Sequence, residues 1–168
     1  MSHRRTASLP LLAVALSSLF LLVTLPGQAA TDNHRCLALA MYWEAKAEGD
    51  RGMLAVGQVV LNRVAHEQFP DSICAVVTQG GETPPCQFSW WCDGKSDRPR
   101  EAENWAAAQR LAQQLMKLPE RSRTRRDPTR GALFFHAKGM KTPWRIPRKK
   151  TATIGGHVFY ALMDSLTD

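Results

Sequence analysis

Residues whose types and spacing could do chemistry gather in three places along the chain. The first is Glu44, which follows eight uncharged residues, Cys36 to Trp43, near the end of an apolar run. On a helical wheel its neighbours are Leu37, Ala40, Met41 and Ala47, so a single acid is pressed against apolar surface. Burial disfavours the charged form of a carboxyl group and raises its pKa. Glu48, one turn on and about 6 Å away by helical spacing, would add a like charge and raise it further. An acid that keeps its proton near neutral pH is what general-acid catalysis requires. The competing reading is structural, with Glu44 paired to Lys46, Arg51 or Arg63.

The second place is "CQFSWWCDG", residues 86 to 94. Phe88, Trp90 and Trp91 alternate with Gln87, Ser89 and Asp93, so flat apolar faces stand beside amide and hydroxyl groups. Sugar rings offer the same mixture of CH faces and hydroxyl edges, which makes a glycan cleft plausible chemistry. One of the two tryptophans is expected to plug the core instead. The third place holds His136 in "FFHA" and His157 in "GGHVFY". His136 is open to substrate contact or a structural bond, whereas His157 reads as structural. No HExxH or similar spacing exists, so no metal and no cofactor are expected.

Several elements must position these groups. Asp32 or Asn33 can cap a first helix that runs to Glu48 and stops at Gly49. Because residues 36 to 43 are apolar on every side, that helix reads as buried all round and central. A second helix carries Met53, Val56, Gly57, Val60, Leu61 and Val64 on one stripe, with Gln58, Asn62 and Arg63 off it. Gly57 within the stripe implies close approach of another helix. A short third element follows Asp71, its expected cap. A fourth helix, about 100 to 118, places Trp105, Ala108, Leu111, Ala112, Leu115 and Met116 on one face. "GALFFHA" and "GGHVFYALM" read as strands of a small hairpin. The fold class is α+β, mainly helical, with a minor β element.

The chain has 168 residues and a formal net charge of +7. Its first 30 residues have two arginines, an apolar run from Leu9 to Leu25 and then small residues, the layout of a secretory signal with a cut near residue 30. Residues 31 to 168 then form one domain, periplasmic or extracellular and monomeric. A membrane would be a partner only if that segment stays uncleaved as an anchor. Four cysteines, Cys36, Cys74, Cys86 and Cys92, lie after the signal and read as disulfides, with three pairings open. Zinc would want CxxC-type spacing, which is absent. From Lys117 to Lys150 twelve Lys or Arg stand against Glu120 and Asp127. Outside the cytoplasm such charge suits anionic wall polymer or membrane surface, and nucleic acid is not an expected partner. "ERSRTRRDPTR" within it reads as a flexible surface segment.

Taken together, "EAKAEGDRGMLAVGQVVLNRV", "FPDSICAVV", "CQFSWWCDG", "GALFFHA" followed by "PW", and "IGGHVFY" resemble the SleB-type cell wall hydrolase family, from about Cys36 to Tyr160. The resemblance implies a lysozyme-like, lytic-transglycosylase-type catalytic domain acting on the MurNAc-GlcNAc strand of peptidoglycan. It implies Glu44 as catalytic acid, at the first glutamate of the family's E-A-R-x-E pattern, and maps the second glutamate to Glu48. Substrate contacts would come from Glu48, Gln87, Phe88, Ser89, Trp90, Trp91 and His136. Lys46 and Ala47 depart from the pattern, where the family usually has arginine and glycine. The motif context favours Cys36 with Cys74 and Cys86 with Cys92. Three rivals compete: a two-carboxylate muramidase with Glu48, Glu82 or Asp93 as second acid, a wall-binding module without turnover, and a Cys/His peptidase using Cys36 with His136.

Overall fold

A computed structural model of the protein describes residues 26–141 and 147–163, with side chains from Asp32 onward. The apolar run of the expected signal and the "PW" motif lie outside the described residues. Among the described residues, five α-helices and three strands follow in order: α1 (Pro26–Ala45), α2 (Gly49–Val64), α3 (Ile73–Val77), α4 (Ala102–Lys117), α5 (Glu120–Arg125), β1 (Phe134–Ala137), β2 (Arg148–Ile154) and β3 (His157–Leu162). Single 3₁₀ turns cover Lys46–Glu48 and Ser89–Cys92.

Helix α1 is the central element. Leu37 to Tyr42 are all buried, and the helix packs against α2, α3 and α4, as its uninterrupted apolar run leads one to expect. It does not begin at Asp32 or Asn33 but runs straight through them. The Asn33 amide oxygen instead accepts the Cys74 N–H at 3.2 Å, in the first turn of α3. The N-cap of α3 is Ser72, not Asp71: its hydroxyl accepts from the Ala75 N–H. A disulfide between Cys36 and Cys74 fixes the same two helices to each other, and a second joins Cys86 to Cys92.

Gly57 serves two neighbours. A Cβ there would lie 2.8 Å from Leu115 on α4 and 2.9 Å from Met41 on α1, so both helices pack onto α2 where it has no side chain. On α4 the expected face is the one buried, through Ala108, Leu111, Ala112 and Leu115. The off-stripe residues of α2 are a correction, because Gln58 and Arg63 are buried at 2% and 4% exposure. Their side of α2 is covered by the sheet and the segment before it, with a small second core of Ala55, Val59, Ala132, Ile154 and Phe159. Polar side chains survive there because they are bonded: Gln58 to Asn62, and Asn62 to Asp127 and the Ala132 carbonyl.

Asp127 also accepts from the N–H groups of Thr129 and Gly131. The basic segment is therefore helix α5 followed by a turn that Asp127 holds, rather than a flexible loop. The expected hairpin is a three-stranded antiparallel sheet of order β1-β3-β2. Strand β2, "RKKTATI", offers the sequence no apolar alternation, because five of its seven residues are polar or charged. It is an edge strand, and exposed Lys149 and Lys150 there discourage pairing with another chain.

Candidate functional site

Glu44 stands in the last turn of α1, where the buried run gives way to a cleft of about 370 Å³. Arg63, from the last turn of α2, reaches the same cleft. Strand β1 supplies one wall through Phe134, Phe135 and His136, with Met140 beyond it and His157 from β3. Cys86, Gln87 and Ser89 of the disulfide loop supply the other.

Burial lifts the Glu44 carboxyl pKa to about 7, against a smaller downward pull from the Arg63 charge and the Trp90 indole N–H. Trp90 Nε1 has no acceptor at full hydrogen-bonding geometry among the described residues, yet it lies near enough to favour the carboxylate form. Glu44 is thus poised to hold a proton and to lose it at neutral pH. Burial likewise lowers the Arg63 guanidinium to about 10, so it remains a cation. Its Nε donates to the Leu133 carbonyl at 2.8 Å, and its guanidinium carbon lies 5.3, 5.6 and 5.8 Å from the ring centres of Phe69, Phe88 and Phe134.

Glu48 is placed elsewhere. The α-helix ends at Ala45 (φ −141°), and the tighter 3₁₀ turn that follows rotates Glu48 out of line with Glu44. Its Oε2 accepts the Gly156 N–H at 2.7 Å, in the turn between β2 and β3. The forces acting on Glu44 therefore include no contribution from Glu48. Lys46 does not pair with Glu44 either, since its ammonium meets both oxygens of Glu101 at 2.8 and 2.9 Å. It also covers the Tyr42 ring, whose hydroxyl donates to the same carboxylate. Two Lys46 contacts with one carboxylate replace any bidentate arginine fork at that position.

Within the disulfide loop, burial alternates. Gln87 and Ser89 face outward, while Phe88 and Trp90 are buried and Trp91 half-buried, all three within or against the main core. The aromatic faces expected to hold sugar therefore point inward, and both tryptophans serve packing. Phe134 and Phe135 give the cleft its aromatic surface instead. His136 lines the cleft, but both ring nitrogens are engaged, Nδ1 with the Ala137 carbonyl and Nε2 with the Tyr160 hydroxyl. His157, read as structural, also lines it; burial lowers its pKa, Glu48 raises it and His136 lowers it. Among the described lining residues Glu44 is the one carboxylate. Glu82 and Asp93 are exposed and lie outside the lining, and Asp93 pairs with Lys95. With Cys36 bonded to Cys74, no thiol stands beside His136.

Residues 47–160 match the family described as Cell Wall Hydrolase. The chain belongs to that family. The matched stretch opens three residues after Glu44 and takes in Arg63 and the walls of the cleft. Among curated relatives, the spore cortex-lytic enzyme of Bacillus subtilis (strain 168) is 28% identical over 137 residues, 80% of this chain and 39% of that protein. The spore cortex-lytic enzyme of Halalkalibacterium halodurans is 28% identical over 136 residues, 80% of this chain and 36% of that one. The chain thus spans less than half the length of these relatives. Among solved structures, the catalytic domain of the Bacillus cereus SleB protein is similar at a TM-score of 0.57 and 25% identity, over 78% of this chain and 91% of that one. The catalytic domain of the germination-specific lytic transglycosylase SleB from Bacillus anthracis is similar at 0.59 and 24%, over 82% and 100%. This member of the cell wall hydrolase family has the lysozyme-like fold of SleB catalytic domains.

Proposed function

We propose that this cell wall hydrolase is an exported enzyme that cleaves the MurNAc-GlcNAc bond of peptidoglycan glycan strands by lytic transglycosylation, with Glu44 as general acid and then general base. The observation that carries this reading is the setting of Glu44: one carboxyl group, held near neutral pKa by burial, in a cleft whose described lining has no second carboxylate. Family membership and the printed names of the relatives support the substrate class.

Hydrolysis by the two-carboxylate scheme needs a second acid across the sugar, either to activate water or to form a covalent intermediate. One acid suffices when the substrate supplies the nucleophile, as muramic acid does with its C6 hydroxyl. Glu44 gives its proton to the glycosidic oxygen, the bond from that oxygen to C1 breaks, and the GlcNAc side leaves as an alcohol. The C6 oxygen bonds to C1 while the Glu44 carboxylate takes the C6 hydroxyl proton. The acid is restored, and no water is consumed. Arg63 and Trp90 favour the carboxylate during the interval in which Glu44 lacks its proton.

Digestion of purified sacculi followed by mass analysis tests the reading. Products should end in 1,6-anhydromuramic acid, about 18 Da lighter than hydrolytic ends because no water is added. Reducing muramic ends at full mass would leave Glu44 as acid but overturn the single-carboxylate route. If no soluble fragment appears, the chain is a binding module.

A further inference from the structure

Arg63 is nearly sealed from solvent at 4% exposure, and its charge acts on Glu44 and on three aromatic rings, yet its hydrogen-bonding capacity is not used up within the protein. Its Nε is taken up by Leu133, while Nη1, itself buried, has no hydrogen-bond partner among the described residues. A buried charged donor left unmatched is expensive and rare in native proteins. Its place explains it, because Arg63 lines the same cleft as Glu44. The Trp90 indole N–H acts on the Glu44 carboxyl, which leaves the Arg63 guanidinium as the charged donor of the described lining that is short of a protein acceptor. A charged donor at a cleft that lacks a protein acceptor is arranged for an oxygen of the ligand. Around Arg63 the surface is aromatic, with Phe134 and Phe135 in the cleft wall. An oxygen acceptor attached to a small apolar group fits such surroundings. On a glycan strand built of N-acetylated sugars, that description selects the acetamido group over the hydroxyls.

Resting on the glycan-cleaving reading above, we propose that Arg63 is a substrate-binding residue whose guanidinium donates to the acetamido carbonyl of the sugar held beside Glu44, with the acetamido methyl against the Phe134–Phe135 wall. The enzyme then selects N-acetylated strands. A site built around a hydrogen bond rejects a ligand that lacks the partner atom, because its own donor is left buried and unpaired.

The test compares intact sacculi, chemically de-N-acetylated sacculi and a re-acetylated batch, at about pH 5, where Glu44 is protonated. Wild type should cleave the de-N-acetylated strands about 10- to 100-fold less well by kcat/KM, with activity regained on re-acetylation. Arg63→Met should lower activity on both substrates, because its charge favours the Glu44 carboxylate, but the loss should be about 10- to 100-fold larger on acetylated strands, so that the preference disappears. If the preference came only from repulsion between Arg63 and the exposed amine, Arg63→Met would instead gain activity on de-N-acetylated strands, which would overturn the proposal. Thermal melting checks that the variant is folded. Arg63→Lys, which keeps the charge but cannot serve Leu133 and a ligand at once, should retain part of the preference. Equal wild-type turnover of acetylated and de-N-acetylated strands overturns the assignment while leaving the glycan-cleaving reading intact. Absence of cleavage on fully acetylated sacculi overturns both.

Discussion

In the proposed reaction Glu44 carries a proton at the start and lacks one midway, and a carboxyl pKa of about 7 suits both states. Glu44→Gln keeps the shape but cannot deliver a proton, so activity on sacculi should fall about 10²- to 10⁴-fold. The same substitution should stabilise the fold at high pH. The folded pKa, about 7, lies above the reference 4.5, so the folded state holds more protons between those values and stability falls as pH rises through them. Denaturant titrations should show the glutamine variant matching wild type at low pH and exceeding it above neutrality, by up to about 3 kcal/mol. A constant gap across pH would mean that Glu44 is not buried as described. For activity the direction is alike: the acid form works, so turnover should be lost as pH rises through about 7. Trp90→Phe removes a group that favours the carboxylate, and its alkaline limb should move upward. A downward move would contradict the place given to the indole N–H.

Between elements, the contact that most changes the picture is Glu48 with the β2–β3 turn. A Cβ at Gly156 would sit 2.6 Å from Glu48 Oε1, so the turn is shaped around this carboxylate. Glu48→Ala should lower stability by about 1.5–3 kcal/mol, the range for a hydrogen bond to a charged group, and leave the alkaline limb in place. A shifted limb would restore the coupling of the two acids that their sequence spacing implies. The spacing misleads here for a local reason, since four residues stack only while the helix stays α-helical, and it ends at Ala45. Elements whose burial is one-sided or total were legible: α1 from its apolar run, α4 from its stripe, and the approach at Gly57 from a glycine among large residues. Glu44 was legible for the same reason, as an acid where only apolar residues belong. Arg63 was not, because a polar residue off the stripe looks solvated unless one knows that a sheet covers that side. Phe88 and Trp90 were read as sugar-facing because composition does not tell which way an alternating loop turns.

At the scale of the whole molecule, basic charge stands apart from the cleft chemistry. Arg121, Arg125 and Arg126 are exposed in and after α5, and Lys149 and Lys150 on the edge strand β2. Among its described lining residues the cleft has one buried cation and one acid, so the proposed recognition of sugar is short-range and weakly screened. A wall polymer dense in carboxylates is attracted to the outer charge over longer distances, and salt weakens that attraction, with a screening length of about 10 Å at 0.1 M. The two contributions can therefore be separated with one enzyme and two substrates. Raising salt from low to about 0.5 M should lower kcat/KM on insoluble sacculi several-fold and leave turnover of short, soluble glycan fragments nearly unchanged. Arg125→Glu with Arg126→Glu should remove much of the salt dependence on sacculi, because the groups being screened are then gone. If both substrates respond equally to salt, the charge acts inside the cleft, through Arg63 and Glu44, rather than on the surface that first meets the wall.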